Sequence, residues 1–507
     1  MKFLTDTEIG ALTPSELLPH ATPIPTQIIS SDEYAPPPQS RRQREVEARL
    51  LELGDTLGAR QGLSRRRFFQ TAAGMAAGFV ALNETFGPVF DASRAEAATP
   101  ALAQARATAL KDQFIMDMHT HFLRDDTRLV NFVRAREAVG KAGWNPDLVD
   151  RPQTLEDLKF NNYFKEIYLD SDTKVALISS SPSEIPGDWF LTNEMMIEAR
   201  DRVNREAGSR RMFAHAIFTP GWDGWLEHLE ASLQRRPESI KGYTVGDNTN
   251  KDLARHPWRM DDEKLAYRAY ELCVKHGIRN VCVHKGLFAE ATAKRWPHLL
   301  PFANVDDVGR AARDWPQLNF IIYHGGYRHA GGGRAEDGWL EFQQTGRVSW
   351  VSDLAEIPGR YGVSNVYADV GQLFAQSVIA APQLTAALMG IMGRGMGYDH
   401  VVWGTDAVWT GSPQWQIEAL RRLEIPETMQ KQYGFAPLGA ADGAVKNMIF
   451  GLTNAKLYGY DVAKRADIGP QRDRFAQMKA AYEESGPARS NQRYGYARTE
   501  VDWTAFT

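Results

Sequence analysis

Residues 319–326 read Asn-Phe-Ile-Ile-Tyr-His-Gly-Gly. An apolar run of strand length closes on a histidine and then on two glycines. The pattern recurs along the chain, so strands are expected over 114–122, 174–180, 212–219, 240–245, 280–287, 319–327, 365–371 and 401–409. Helical patterns lie between most of them, at 193–206, 225–235, 262–276 and 382–392. The last opens on Pro382, whose missing N–H costs nothing in a first turn. Strands alternating with helices argue for parallel β/α units. Eight such units predict an α/β fold, a (β/α)8 barrel of the TIM type over residues 98–460. A doubly wound open sheet is the alternative. The count of eight, and polar residues at the strand ends, favour the barrel. The connection from Leu123 to Ser171 is long and carries Trp144, Tyr163 and Tyr168. Insertions of this kind form lids or subunit contacts, so a homodimer is allowed. After Tyr460, residues 461–507 are polar and read as a helix or two followed by a tail.

In such barrels the active site lies at the C-terminal ends of the strands. The first strand ends Met116-Asp117-Met118-His119-Thr120-His121. Residues i and i+2 share a strand face, so His119 and His121 project together, into the barrel if Thr120 faces out. A lone His-x-His pair is weak evidence. Here three other strands close on further ligand types: His284 on the fifth, His324 on the sixth and Asp406 on the eighth. Converging imidazoles and a carboxylate make the ligand set of a hydrolytic Zn2+ or similar centre. His284 or His324 alone would read as a core histidine, and Asp406 alone as a turn residue.

Taken in order, these motifs and the closing Asn454-Ala455-Lys456-Leu457-Tyr458 segment resemble the amidohydrolase superfamily. More narrowly, they resemble the branch that includes aminocarboxymuconate-semialdehyde decarboxylase. The resemblance spans about residues 113–460. It implies one divalent ion, Zn2+ first with Mn2+ as an alternative, held by His119, His121, His284 and Asp406. It also implies that His324 is the general acid/base beside it. Other branches bridge two ions with a carbamylated strand-four lysine. Lys241 opens the fourth strand, which places it at the wrong end and leaves one ion expected. Lys285 should face away from the barrel interior by alternation. His215, in mid-strand, should be packing, and Arg328, His329 and Arg334 a solvated loop.

One ion with a neighbouring histidine permits two reactions. The first is hydrolysis of an amide, ester or lactone in a small organic substrate. The second is non-oxidative decarboxylation of an aromatic or unsaturated carboxylate. Members of the branch do both. Hydrolysis is preferred because the chain carries an export-like segment, and export suits degradation of external compounds. A non-catalytic exported metal-binding barrel is the reading from another class.

That segment is Ser64-Arg65-Arg66-Arg67-Phe68-Phe69-Gln70, followed by an Ala/Gly-rich apolar run over 71–82 and by Ala95-Glu96-Ala97. A basic region, a weak apolar stretch and a small-x-small site make a signal peptide. The arginine pair before two phenylalanines resembles the twin-arginine signal. Residues 64–97 are therefore expected to direct export to the periplasm, with membrane contact only through the export machinery. The alternative is a buried Ala/Gly helix that follows three arginines. Residues 1–63 form an extension, proline-rich at first and helical from Arg41.

The whole chain has 507 residues and a net charge of −4, with a pI near 6.3. That gives no electrostatic case for nucleic acid. Two cysteines, Cys273 and Cys282, exclude a disulfide framework and read as buried thiols. Thirteen Trp, 17 Tyr and 23 Phe supply a large core and exclude a wholly disordered chain.

Overall fold

The computed structural model describes residues 22–29, 34, 37, 39–141 and 154–485. Trp144, the first 21 residues and the tail beyond 485 lie outside them. Eight parallel strands run in sequential order: β1 Met116–His121, β2 Val175–Ser179, β3 Met212–Ile217, β4 Ser239–Tyr243, β5 Asn280–His284, β6 Asn319–Tyr323, β7 Val366–Asp369 and β8 Val401–Val402. The amide of Met118 donates to Trp403 and that of Asp406 to His119, and Thr120 bridges to Ala407, so β8 returns to β1. The result is the expected (β/α)8 barrel, nearly closed. Its interior is filled by Met116, Met118, Val175, Leu177, Phe213, Cys282, Ile321, Tyr323 and Val402. Both cysteines are free and buried.

All eight strands are shorter than their patterns, β8 most of all, and one of the helices starts later than its own. The helix expected from Asp262 runs Ala266–His276, because the Asp262 carboxylate accepts the amides of Lys264 and Leu265 and holds the chain in a turn. β8 stops at Val402, because Gly404-Thr405-Asp406 leaves the ladder and Asp406 turns at φ 58°.

Residues 64–97 are folded into the protein as helices. Helices Arg41–Arg60, Arg65–Phe69, Ala72–Phe86 and Arg94–Ala98 are each capped by a Ser or Thr hydroxyl, those of Ser40, Ser64, Thr71 and Ser93. The Ala/Gly run of the third helix is a close-packing surface. A Cβ on Gly74 would stand 2.2 Å from the Phe68 carbonyl, and one on Gly78 3.1 Å from Ile24. Phe68, Phe79, Leu82 and Phe90 join the same core as barrel-helix residues Val378 and Leu388. Arg422 pairs with Glu96 at 2.7 Å, and Ala97 is buried, while Arg65, Arg66 and Arg67 are exposed. Among the described residues no helix is long and apolar enough to cross a membrane.

At the C-terminal end, helix Arg474–Ser485 packs Phe475, Met478 and Tyr482 against Phe164 and Tyr168 of the insertion after β1. The rest of that insertion contributes Phe132, Leu155 and Leu158. With Phe190, Val408 and Trp409 they form a separate apolar cluster.

Candidate metal centre

Strict alternation along β1 would not bring its histidines inside. Met116 and Met118 both face the interior, which would carry Thr120 inward as well. The register shows why this fails: Asp117 pairs with Ala176 but Thr120 with Ile178, three residues against two. One extra residue in β1 is a bulge, and it reverses the alternation. Thr120 then faces outward, its hydroxyl on the Leu177 carbonyl and the Tyr163 hydroxyl. His119 and His121 face the interior.

Their ring nitrogens are assigned by partners that can only accept. His119 Nδ1 meets Asp369 Oδ2 at 2.9 Å, and His121 Nδ1 meets the Ser179 carbonyl at 3.1 Å. Both Nδ1 atoms therefore carry hydrogen, and both Nε2 atoms present lone pairs. The two Nε2 atoms stand 3.1 Å apart, and Asp406 Oδ1 lies 3.1 Å from the first and 3.2 Å from the second. Three lone pairs thus converge on one point. Ligands about 2.0–2.2 Å from a common ion would be about 3 Å apart, so this donor set fits a divalent cation.

Asp406 and His324 are both brought to the centre by strained backbone. Each has φ 58°, in the left-handed region that a non-glycine residue seldom adopts. Such strain costs roughly 1–3 kcal/mol per residue and clusters at functional sites. For His324 the turn has a further consequence. Tyr323 already faces the interior, so alternation would send the next side chain out. The positive φ throws it back in, above His119 and against His284, with ring centroids 4.9 and 4.8 Å apart. Ligand atoms of His119, His324 and Asp406 all lie within 4.8 Å of one another. The His324 Nδ1 accepts the backbone N–H of Gln372 at 3.0 Å.

His284 stacks on Tyr243 at 4.9 Å. Its ring nitrogens have no hydrogen-bond partner among the described residues. Burial, followed by the charge of His324, holds the His284 pKa well below the ordinary imidazole value. Burial likewise takes His121 and His324 down to about 3. Asp406, which burial alone would raise, is held well below the carboxylate range by His119 and His121.

Sequence reasoning missed three residues. Lys241 does start one layer beneath His284, since it pairs with Cys282 while Tyr243 pairs with His284. Its side chain nevertheless runs up inside the barrel, and Nζ reaches 3.4 Å from His119 Nε2 and 4.1 Å from the Tyr323 ring. The expectation that it lies away from the site is corrected: the strand position was right, and the reach of a four-carbon stem was overlooked. Asp369 closes the apolar run of β7 as Asp406 closes that of β8, a signal present in the sequence. It accepts from both His119 Nδ1 and the His324 amide. Gln372, whose Nε2 donates to Asp406 Oδ2 at 2.9 Å, carried no signal.

The other residues expected to lie away from the centre do so. Lys285 pairs with buried Asp307 at 2.8 Å, away from the centre. His215 is satisfied inside the core by Ser239 and Tyr323, each at 2.7 Å. His329 pairs with Glu341, and Arg328 lies over Trp350. Above the centre, Phe190 and Trp409 pack their rings on His121 at 5.8 and 5.4 Å.

A family model described as amidohydrolase matches residues 116–460. No curated protein matches the chain. Among solved structures, 2,6-dihydroxybenzoate decarboxylase from Rhizobium is 13% identical over 68% of this chain and 99% of its own, with a TM-score of 0.39. A 5-carboxyvanillate decarboxylase from Novosphingobium aromaticivorans, complexed with manganese, is 12% identical over 69% and 97%, with a TM-score of 0.38. Amidohydrolase 2 from Bifidobacterium longum subsp. infantis is 13% identical over 69% and 100%, with a TM-score of 0.33.

Proposed function

The chain belongs to the amidohydrolase family, and on that premise we propose that it is a metal-dependent hydrolase of a C–N or C–O bond in a small amide, ester or lactone. The observation that carries the reading is the convergence of His119 Nε2, His121 Nε2 and Asp406 Oδ1 within 3.1–3.2 Å of one another. These residues would hold one divalent ion, with His284 at the side. Imidazoles with a carboxylate suit Zn2+, and Mn2+ is the second choice. When bound, such an ion lowers the pKa of a water towards neutrality and polarises a carbonyl oxygen.

The chain's own residues prepare that chemistry. Asp369 fixes the His119 ring and its tautomer, as carboxylate partners of metal-binding histidines do. Gln372 occupies Asp406 Oδ2 and leaves Oδ1 turned to the histidines. Phe190 and Trp409, their rings inclined at 61° to one another, form an apolar wall against His121, suited to the apolar part of a small organic substrate.

Decarboxylation is the second reading, and one observation favours it. His119, His121, His284, His324 and Asp406 are all buried, and Phe190 and Trp409, backed by Phe132, pack on His121. A dry site disfavours a carboxylate relative to CO2. One screen separates the two: aromatic and heteroaromatic carboxylates alongside amides, esters and lactones, with CO2 detection, on zinc- and manganese-loaded protein. Hydrolysis without CO2 supports the main reading, and CO2 release replaces it with the second. Neither activity, with the ion firmly bound, leaves the non-catalytic metal-binding barrel.

We propose that residues 64–97 direct export to the periplasm. The exposed Arg65 and Arg66 are accessible to a receptor, while the buried Ala97 is not accessible to a peptidase in the folded chain. Replacing both arginines by lysine and fractionating the cells tests it. An unchanged periplasmic fraction would contradict it.

A further inference from the structure

An imidazole placed as His324 is can give or take a proton. Its partner decides which. A backbone N–H can only donate, so the 3.0 Å contact from the Gln372 amide fixes a lone pair on His324 Nδ1. The ring's proton is then on Nε2. If Nε2 instead ligated an ion or accepted a proton, Nδ1 would have to carry hydrogen, and two N–H groups would face each other at 3.0 Å. Turning the ring over would place a carbon against the Gln372 amide and orphan a buried donor, a loss of about 1–3 kcal/mol. The contrast with β1 is direct: His119 and His121 have acceptors at Nδ1 and lone pairs at Nε2, whereas His324 has a donor at Nδ1.

The surroundings hold this arrangement closely. Gln372 is in the first turn of helix Gly371–Ala380, and its amide, which lacks a partner within the helix, points at the ring. A Cβ on Gly371 would stand 2.5 Å from Nδ1, so only glycine lets the helix end approach. The strained φ of His324 presses the ring into that end, and the His324 amide is itself tied to Asp369 Oδ2 at 3.2 Å. Nε2 has no partner among the described residues.

We propose that His324 is a fixed hydrogen-bond donor, offering Nε2–H to a substrate oxygen that carries or develops negative charge, and that it is neither a metal ligand nor the proton acceptor. Gln372 is the positioning residue, its amide setting the tautomer of His324 and its side chain orienting Asp406. The proposal deepens the hydrolase reading and rests on it for the substrate oxygen, a carbonyl oxygen of the amide, ester or lactone. A preorganised donor at that oxygen is typically worth about 10²–10³ in kcat.

The test is 15N NMR of the full chain labelled at histidine, recorded without metal and with zinc. His324 is assigned by difference from His324→Asn, and by its persistence in Gln372→Ala, which keeps the backbone donor. The expected result is a proton on Nε2 and a bare Nδ1 in both states. A proton on Nδ1, or a zinc-induced change at His324 Nε2 like that at His119 and His121, would overturn the proposal. Zinc that leaves His119 and His121 unmoved would defeat the metal reading instead, with the His324 tautomer still readable. Turnover gives a second, independent arm. On the best ester of the screen, His324→Asn, which keeps an amide N–H, should exceed His324→Ala by about 10-fold or more in kcat. Equal loss in the two variants would mark a proton acceptor and contradict the proposal.

Discussion

The ammonium of Lys241 lies 3.4 Å from Nε2 of His119, the same atom that converges with His121 and Asp406. A protonated Lys241 would place a positive charge at the floor of a site whose other groups would gather a cation. At an effective dielectric of about 20, unit charges about 4 Å apart interact by about 4 kcal/mol. Lys241→Met should therefore bind zinc at least about 10-fold more tightly by chelator competition. It should also turn over more slowly, having lost a charge beside the substrate. Unchanged or weaker zinc binding would show that Lys241 does not oppose the ion.

Asp369 should act through His119. Asp369→Asn keeps the shape and an acceptor but removes the charge behind the imidazole. Zinc affinity should fall about 10–100-fold, the usual range for such partners, with the melting temperature little changed. Full affinity in this variant would remove Asp369 from the account.

Gly371 makes room for the His324 ring. An alanine there would place its Cβ 2.5 Å from His324 Nδ1 and 2.9 Å from Asp369 Oδ2, at a φ of 22°. Gly371→Ala should lose about 10²-fold or more in kcat by displacing the donor, while zinc still binds. Turnover close to that of the parent would contradict the packing described.

The eight strands were legible because each is a short apolar run closed by polar or glycine residues, and because two buried faces leave little else such runs can do. His119, His121, His284, His324 and Asp406 were legible as strand-end residues. What placed them was not. The bulge in β1 is a register shift against β2, which no pattern within β1 records. The left-handed turns at His324 and Asp406 reverse a side chain that simple alternation sends the other way. Lys241 shows that a Cα position does not bound the reach of a long side chain. The Ala/Gly helix was ambiguous for a plain reason: a weakly apolar run of small residues serves equally an export signal and close helix packing.

That last point has a measurable consequence. A chain starting at residue 98 would lose Phe68, Phe79, Leu82 and Phe90 from the core. Burial of a large apolar side chain is worth about 1.5–3 kcal/mol, against a net stability of about 5–15 kcal/mol for a typical fold. The truncated chain should be insoluble or melt far below the full one. A truncated chain with an undiminished melting temperature would show that residues 41–97 are dispensable for the fold.

The central claim is that His119, His121 and Asp406 hold a divalent ion. It is tested most directly by elemental analysis of the purified full chain beside Asp406→Ala. The account expects about one tightly bound zinc or manganese per chain, and its loss from the variant with the fold intact. Two ions per chain would contradict the single centre and bring Lys241 forward as a ligand. Full occupancy in Asp406→Ala, or no tightly bound ion in the parent, would contradict the claim itself.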